Sequence, residues 1–161
     1  MDSIVRFDTL GIYGSSLYVR QTLEEDEELF YSCDIAKYNR YGFSQDRILL
    51  VTSKHLLTLD FGTHNYNIHR RVNINLIEAI TTSKVQETSE VVFHFTGDYD
   101  ERYDAGQHQE PLIYIVSSIL RALGNEYKVY QVPDRKLRKY NTTKNEAKKL
   151  KFCRPDDRWL V

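Results

Sequence analysis

The chain has 161 residues, of which 41% are apolar and 28% charged, and its formal net charge is −1. That size and balance fit one soluble domain with its own core, and they exclude disordered, collagen-like and disulfide-stapled mini-protein classes. Its longest uncharged, mainly apolar stretch, residues 111–120, is too short to span a bilayer; Asp2 and Arg6 with no apolar block behind them do not read as a secretory signal.

The first 27 residues read as an irregular extension, because Gly11, Gly14, Ser15 and Ser16 break any long helix. This end is acidic: residues 1–34 hold two basic groups and eight acidic ones, including the run Glu24, Glu25, Asp26, Glu27 and Glu28. Residues 29–38 are apolar enough for a strand, and 39–42 (Asn-Arg-Tyr-Gly) supply a turn. The β-branched run 47–52 suits a buried strand, Ser53-Lys54 a tight hairpin turn, and 55–60 the partner strand. After a turn at 61–65, residues 67–72 alternate around Ile68 and Val72, and Ile74, Leu76, Ile77 and Ile80 suggest another strand after a bend. Residues 91–95 are strongly strand-like, Gly97-Asp98 end them, and 99–103 are expected to add an edge strand. The expected architecture is mainly β, an antiparallel barrel or sandwich of about seven short strands.

The pattern then changes period. Pro111 opens a helix whose Leu112, Ile115, Val116, Ile119, Leu120 and Leu123 recur at helical spacing, and Gly124 stops it. This amphipathic helix is expected to cap the barrel. A last strand covers 127–132. From Pro133 onward the chain turns basic: residues 135–154 carry nine basic groups against Glu146. Arg135, Lys136, Arg138, Lys139, Lys148, Lys149 and Lys151 form a candidate contact surface for an anionic partner, although such a run also serves simply as a solvated face or folds back on the acidic end. The expected division is 1–27 extension, 28–132 domain and 133–161 basic extension.

The segment 35–52, IAKYNRYGFSQDRILLVT, resembles the tail homology domain of class I myosins, a divergent pleckstrin-homology fold. Three further pieces agree in order: SKHLLTLD at 53–60, HRRVNINLIEAITTS at 69–83, and EVVFHF at 90–95. No motor, nucleotide-binding loop or calmodulin-binding helix accompanies them, so the expectation is a free-standing copy of the tail domain. The resemblance implies that a basic residue late in the first strand and an Arg opening the second meet phosphoinositide phosphates. The matching positions are Lys37 and Arg47, with Arg40 in the loop between. Antiparallel pairing would bring such cations to one end of the sheet, where Arg offers a two-pronged donor and Lys a compact charge. Asp46 stands beside Arg47, and the alternative reading of all three cations is solvated loop charge.

Catalytic and metal-binding patterns do not emerge. Gly11-Ile-Tyr-Gly14 lacks the Lys of a phosphate loop, and His55, His64, His69, His94 and His108 have no metal-ligand spacing. Residues 98–104 resemble a calcium loop but place Arg102 at the fifth position and Tyr103 at the sixth, and so read as an acidic hairpin loop. Cys33 and Cys153 read as reduced thiols in a cytosolic protein, without a catalytic partner. Neither enzyme activity nor a cofactor is expected. Tyrosines 127, 130 and 140 interleave with cations, but strand packing explains them better than nucleic-acid stacking.

Two functions compete. One is a binding module at the membrane–cytoskeleton boundary, recruited by phosphoinositides, by an actin- or microtubule-associated protein, or by both. The other is a structural part of a cytoskeletal assembly such as a ciliary or flagellar axoneme, docked by its basic and acidic extensions. Both place the protein in the cytoplasm, within a larger complex, at the cytoskeleton or membrane periphery. The fold does not choose between them.

Overall fold

The computed structural model describes residues 7–83, 89–132, 137–143 and 146–151, with side chains at 8–82 and 89–131. By its contacts the chain divides into two units: the described residues of 1–35, 46–75 and 110–125, and those of 36–45, 76–109 and 126–161.

In the first unit, β1 (Phe7–Asp8) lies parallel to β2 (Leu29–Tyr38), with Phe7 opposite Tyr31 and Asp8 opposite Ser32. The residues expected to be irregular form two short helices, α1 (Ile12–Ser15) and α2 (Leu17–Thr22). The Gly and Ser positions that forbid one long helix punctuate two short ones. Asp8 accepts from the backbone N–H groups of Ile12 and Tyr13 at 3.0 and 2.9 Å, and the Ser16 hydroxyl accepts from Val19 N–H at 3.1 Å. These caps turn Ile12 and Val19 into a core cluster with Leu29, Leu50, Leu57 and Leu59, flanked by Leu23, Ile48, Tyr66 and Ile68.

The sheet of this unit runs β2, β3 (Ser44–Thr52), β4 (His55–Phe61) and β5 (Tyr66–Asn73). Leu49 to Thr52 and Leu56 to Leu59 are buried without a break, as expected of strands covered on both faces. In β5 only alternate residues are covered, with Arg70 and Val72 buried and Asn67, His69 and Arg71 exposed.

Helix α3 (Gln109–Ala122) buries Leu112, Ile115, Val116, Ile119 and Leu120. Leu123, expected on this stripe, lies beyond the last turn and is 41% exposed. The stop itself is as expected: Gly124 has φ +72°, its N–H bonds the Arg121 carbonyl at 3.0 Å, and Asn125 N–H bonds the Leu120 carbonyl at 3.0 Å. That pair of bonds satisfies carbonyls that a helix end otherwise leaves bare.

The second unit orders its strands as the end of β2, then β8 (Glu101–Asp104), β7 (Glu90–Phe95), β6 (Ile77–Ser83) and β9 (Lys128–Val132). Two expectations fail here. Residues 99–103, expected as an edge strand, and the overlapping 98–104, expected as an acidic hairpin loop, hold an interior strand instead: β8 pairs with both β2 and β7, and Glu101, Arg102, Tyr103 and Asp104 are all buried. Strand β9 joins β6 in parallel rather than antiparallel, a pairing that the long intervening chain permits. Leu137–Thr143 (β10) and Glu146–Lys151 (β11) form an antiparallel hairpin within the basic extension.

Candidate binding surface

The three cations implied by the resemblance sit in two different settings. In the second unit, Lys37 near the end of β2 places its Nζ 3.3 Å from Glu101 Oε2; the Lys side chain is 17% exposed and the carboxylate 1%. This pair follows from β8 lying directly beside β2, with Lys37 opposite Tyr103. Arg102, on the same strand, pairs with Glu90 and lays its guanidinium 3.9 Å from the Tyr38 ring centroid. Burial pushes the Glu90 carboxyl above its ordinary range, outweighing the pull of Arg102.

Arg40 lies on the β2–β3 loop. Its Nη2 donates to the Tyr41 hydroxyl at 2.5 Å, with its guanidinium carbon 4.8 Å from that ring centroid. Asn39 shapes this loop. Its side-chain oxygen accepts from the N–H groups of Tyr41 and Phe43 at 2.9 and 3.1 Å. Its own N–H bonds the Phe43 carbonyl at 2.9 Å, and its carbonyl accepts from Gly42 N–H at 3.0 Å. Gly42 takes φ +86°, a conformation that other residues resist.

In the first unit, Arg47 donates to the Asp46 carbonyl at 2.8 Å and lies 3.9 Å from Asp60 Oδ2. His69 Nε2 approaches the same Asp60 oxygen at 2.9 Å. The His69 hydrogen bond is the main reason that the Asp60 carboxyl is held below its ordinary range, with Asn67 and Arg47 adding to it. The structure thus supplies each of the two motif cations with an acid that the sequence does not single out. Glu101 and Asp60 lie 64 and 13 residues from their partners, so only strand pairing reveals them.

Polar networks elsewhere are internal. Thr81 Oγ1, His94 Nε2, His94 Nδ1 and Asp100 Oδ2 make a chain with steps of 2.6 and 2.8 Å, which imitates a nucleophile, base and orienter. Thr81 is fully buried, however, so no substrate reaches its hydroxyl. The acidic run of the first unit is partly consumed at home. Glu24 and Asp26 pair with Lys54, while Glu27 takes hydrogen bonds from Thr52 and His55. Burial would raise the Glu27 carboxyl; the hydrogen bonds from Thr52 and His55 outweigh it and lower it. Burial pushes the Cys33 thiol up to about 12. Among the described residues no three His, Cys, Asp or Glu side chains are grouped to hold a metal ion, and no helix is long and apolar enough to cross a membrane.

Of the basic extension, Arg138 and Lys139 lie on β10 and Lys148, Lys149 and Lys151 on β11; the register sets Lys139 opposite Lys149 and Leu137 opposite Lys151. The hairpin therefore gathers basic positions separated in sequence onto one short ladder. Arg135, Lys136, Cys153 and Trp159 lie outside the described residues.

Comparison with known proteins names this architecture. The hSac2 domain from human phosphoinositide phosphatase Sac2 is similar at a TM-score of 0.54 and 12% identity, over 71% of this chain and 83% of that one. The linker-DH/PH domains of p115-RhoGEF match at 0.54 and 10% identity, over 73% of this chain and 37% of theirs. The DH/PH domain of human ARHGEF11, solved with human RhoA and its inhibitor, matches at 0.53 and 10% identity, over 73% and 36%. At these identities the likeness speaks for the fold alone, which is pleckstrin-homology-like. Among curated proteins none matches. The sequence pattern of the unconventional myosin tail, described as actin- and lipid-binding, covers residues 8–157, from the Asp8 cap through the basic hairpin, and the chain belongs to that family.

Proposed function

We propose that the protein is a non-catalytic adaptor that docks at the boundary between anionic membrane and the actin cytoskeleton. The observation that carries this reading is the match of residues 8–157 to a tail family described as actin- and lipid-binding. In this reading Arg40, Lys37 and Arg47 meet phosphoinositide headgroups, and Arg135, Lys136, Arg138, Lys139, Lys148, Lys149 and Lys151 add a second basic contact. Each cation brought near an anionic leaflet contributes about 1 kcal/mol. Lys37 and Arg47 are neutralised locally by Glu101 and Asp60, so phosphate must compete with those acids for them. Arg40 has no such acidic partner among its described contacts and is the cation best placed to engage first.

The test is co-sedimentation with two targets: phosphatidylcholine vesicles containing phosphatidylinositol bisphosphate, and actin filaments. Wild type is expected to pellet with the vesicles at moderate salt, and an Arg40→Ala/Arg47→Ala variant to pellet severalfold less. Wild type remaining in the supernatant with vesicles eliminates the lipid role, and remaining there with filaments eliminates the actin role.

A further inference from the structure

We infer that a cleft on the first unit is the docking site for the basic hairpin of a second copy of this chain. The inference stands apart from the lipid reading. The cleft encloses about 490 Å3, and its lining comes wholly from residues 8–29. Tyr13, Gly14 and Leu29 form an uncharged wall, and Asp8 with the acids at 25–28 supplies the rest. Among the described residues, five lining groups are acids and none is basic. Two of the acids are used at home: Asp8 caps α1, and Glu27 is bonded to Thr52 and His55. Asp26 shares Lys54 with Glu24 in an exposed pair, which holds it weakly. Glu25 is exposed and has no partner among the described residues.

Three observations choose the occupant. No three acids are grouped to hold a metal ion, so the negative charge is spread out and suits an extended polycation. Apolar surface accompanies that charge: Tyr13 is 47% exposed, and Leu17 on the adjoining α2 is 59% exposed. Lysine and arginine fit such a mixture, because their stems lie along apolar surface while their heads reach carboxylates. Arg20, whose guanidinium lies 5.9 Å from the Tyr13 ring centroid, is tied to the carbonyls of Tyr13 and Gly14. The third observation lies in the hairpin of β10 and β11. Its register sets Lys139 directly opposite Lys149, within a segment, 135–154, that carries a net of +8. Like charges on one rung weaken a ladder, and a two-stranded hairpin has little stability to lose. Such a hairpin calls for an anionic surface that relieves the repulsion. The same chain carries both faces, so each copy brings the complement of the other in equal number. The two faces are unlike, and a contact between them therefore propagates head to tail.

Sedimentation equilibrium of the full chain, without lipid or actin, reads the association. At about 0.05 M salt the mean mass is expected to rise above the monomer as protein goes from about 1 to about 100 μM, and to fall back at about 0.5 M salt. Glu25→Lys/Glu28→Lys reverses the cleft, and Lys148→Glu/Lys149→Glu reverses the hairpin. Each double variant alone is expected to weaken association at least about tenfold. Mixing the two in equal amounts is expected to restore it, because every face then meets its complement on the other variant. A variant that had merely failed to fold gives no such rescue. Tyr13→Ala, which removes the wall, is expected to weaken association severalfold. Wild type that stays monomeric at every concentration in low salt overturns the inference, and so does association that salt or either reversal leaves unchanged. Loss in both reversals with no recovery on mixing shows that the two faces do not meet, and overturns it as well.

Discussion

Lys37 and Arg47 occupy matching places in the motif yet stand in unlike surroundings. The Lys37 cation faces a carboxylate that is 1% exposed, whereas the Asp60 partner of Arg47 is 36% exposed and shared with His69. Removing a cation from a buried carboxylate costs far more than removing one from a solvated pair. Lys37→Ala is therefore expected to lower stability by about 3 kcal/mol in urea unfolding, while Arg47→Ala leaves the midpoint close to wild type. Equal, small effects would show that the Lys37–Glu101 pair is not formed in solution. A vesicle assay on Lys37→Ala alone would confuse folding with binding. A second residue-scale prediction concerns acid. The Glu27 carboxyl is depressed by Thr52 and His55, so its contribution is complete above the unfolded carboxylate value and is lost as pH falls through the lower folded one. Thermal melts from about pH 6 to about pH 3 should show wild type losing stability more steeply than Glu27→Gln; parallel curves would contradict the assignment.

At the scale of elements, the strands with continuous β-branched or leucine runs are legible from composition, because burial on both faces leaves no polar alternation to misread. The long helix is legible from its spacing and its Gly124 stop. The misreadings share a physical cause: the decisive partner is distant in sequence. The interior place of β8 is hidden because Glu101 and Arg102 read as surface charge until Lys37 and Glu90 are brought beside them. Of the proposed site, Lys37, Arg40 and Arg47 are visible through the motif, but Glu101 and Asp60, the acidic partners of Lys37 and Arg47, are not. The helices α1 and α2 escape a sequence reading because each is too short to display a period. Only Ile12 and Val19, seven residues apart, signal one buried face. In sequence residues 1–27 read as an irregular extension, yet Ile12 and Val19 join the core. Ile12→Ala should cost about 3 kcal/mol, measured by urea unfolding. A loss below about 1 kcal/mol would mean that the amino-terminal helices do not pack as described.

For the molecule as a whole, charge is separated along the chain, with a net of −6 over residues 1–34 and +8 over 135–154. Part of the acidic surplus is matched by Lys54, which pairs with Glu24 and Asp26. If headgroup charge drives membrane docking, raising salt from about 0.05 to about 0.5 M should strip most vesicle binding from wild type. Vesicle pelleting that does not change with salt would contradict a charge-driven contact. The buried ionic strand β8 has a further bearing on life in a crowded cell. A greasy strand will stack against almost any open edge, including one on another copy of the same chain. A strand that hides Glu101 and Arg102 fits only where a lysine and a glutamate wait at the right rungs, and elsewhere it strands charge in a dry place. The molecule thereby carries its own deterrent against mispaired or intermolecular sheets.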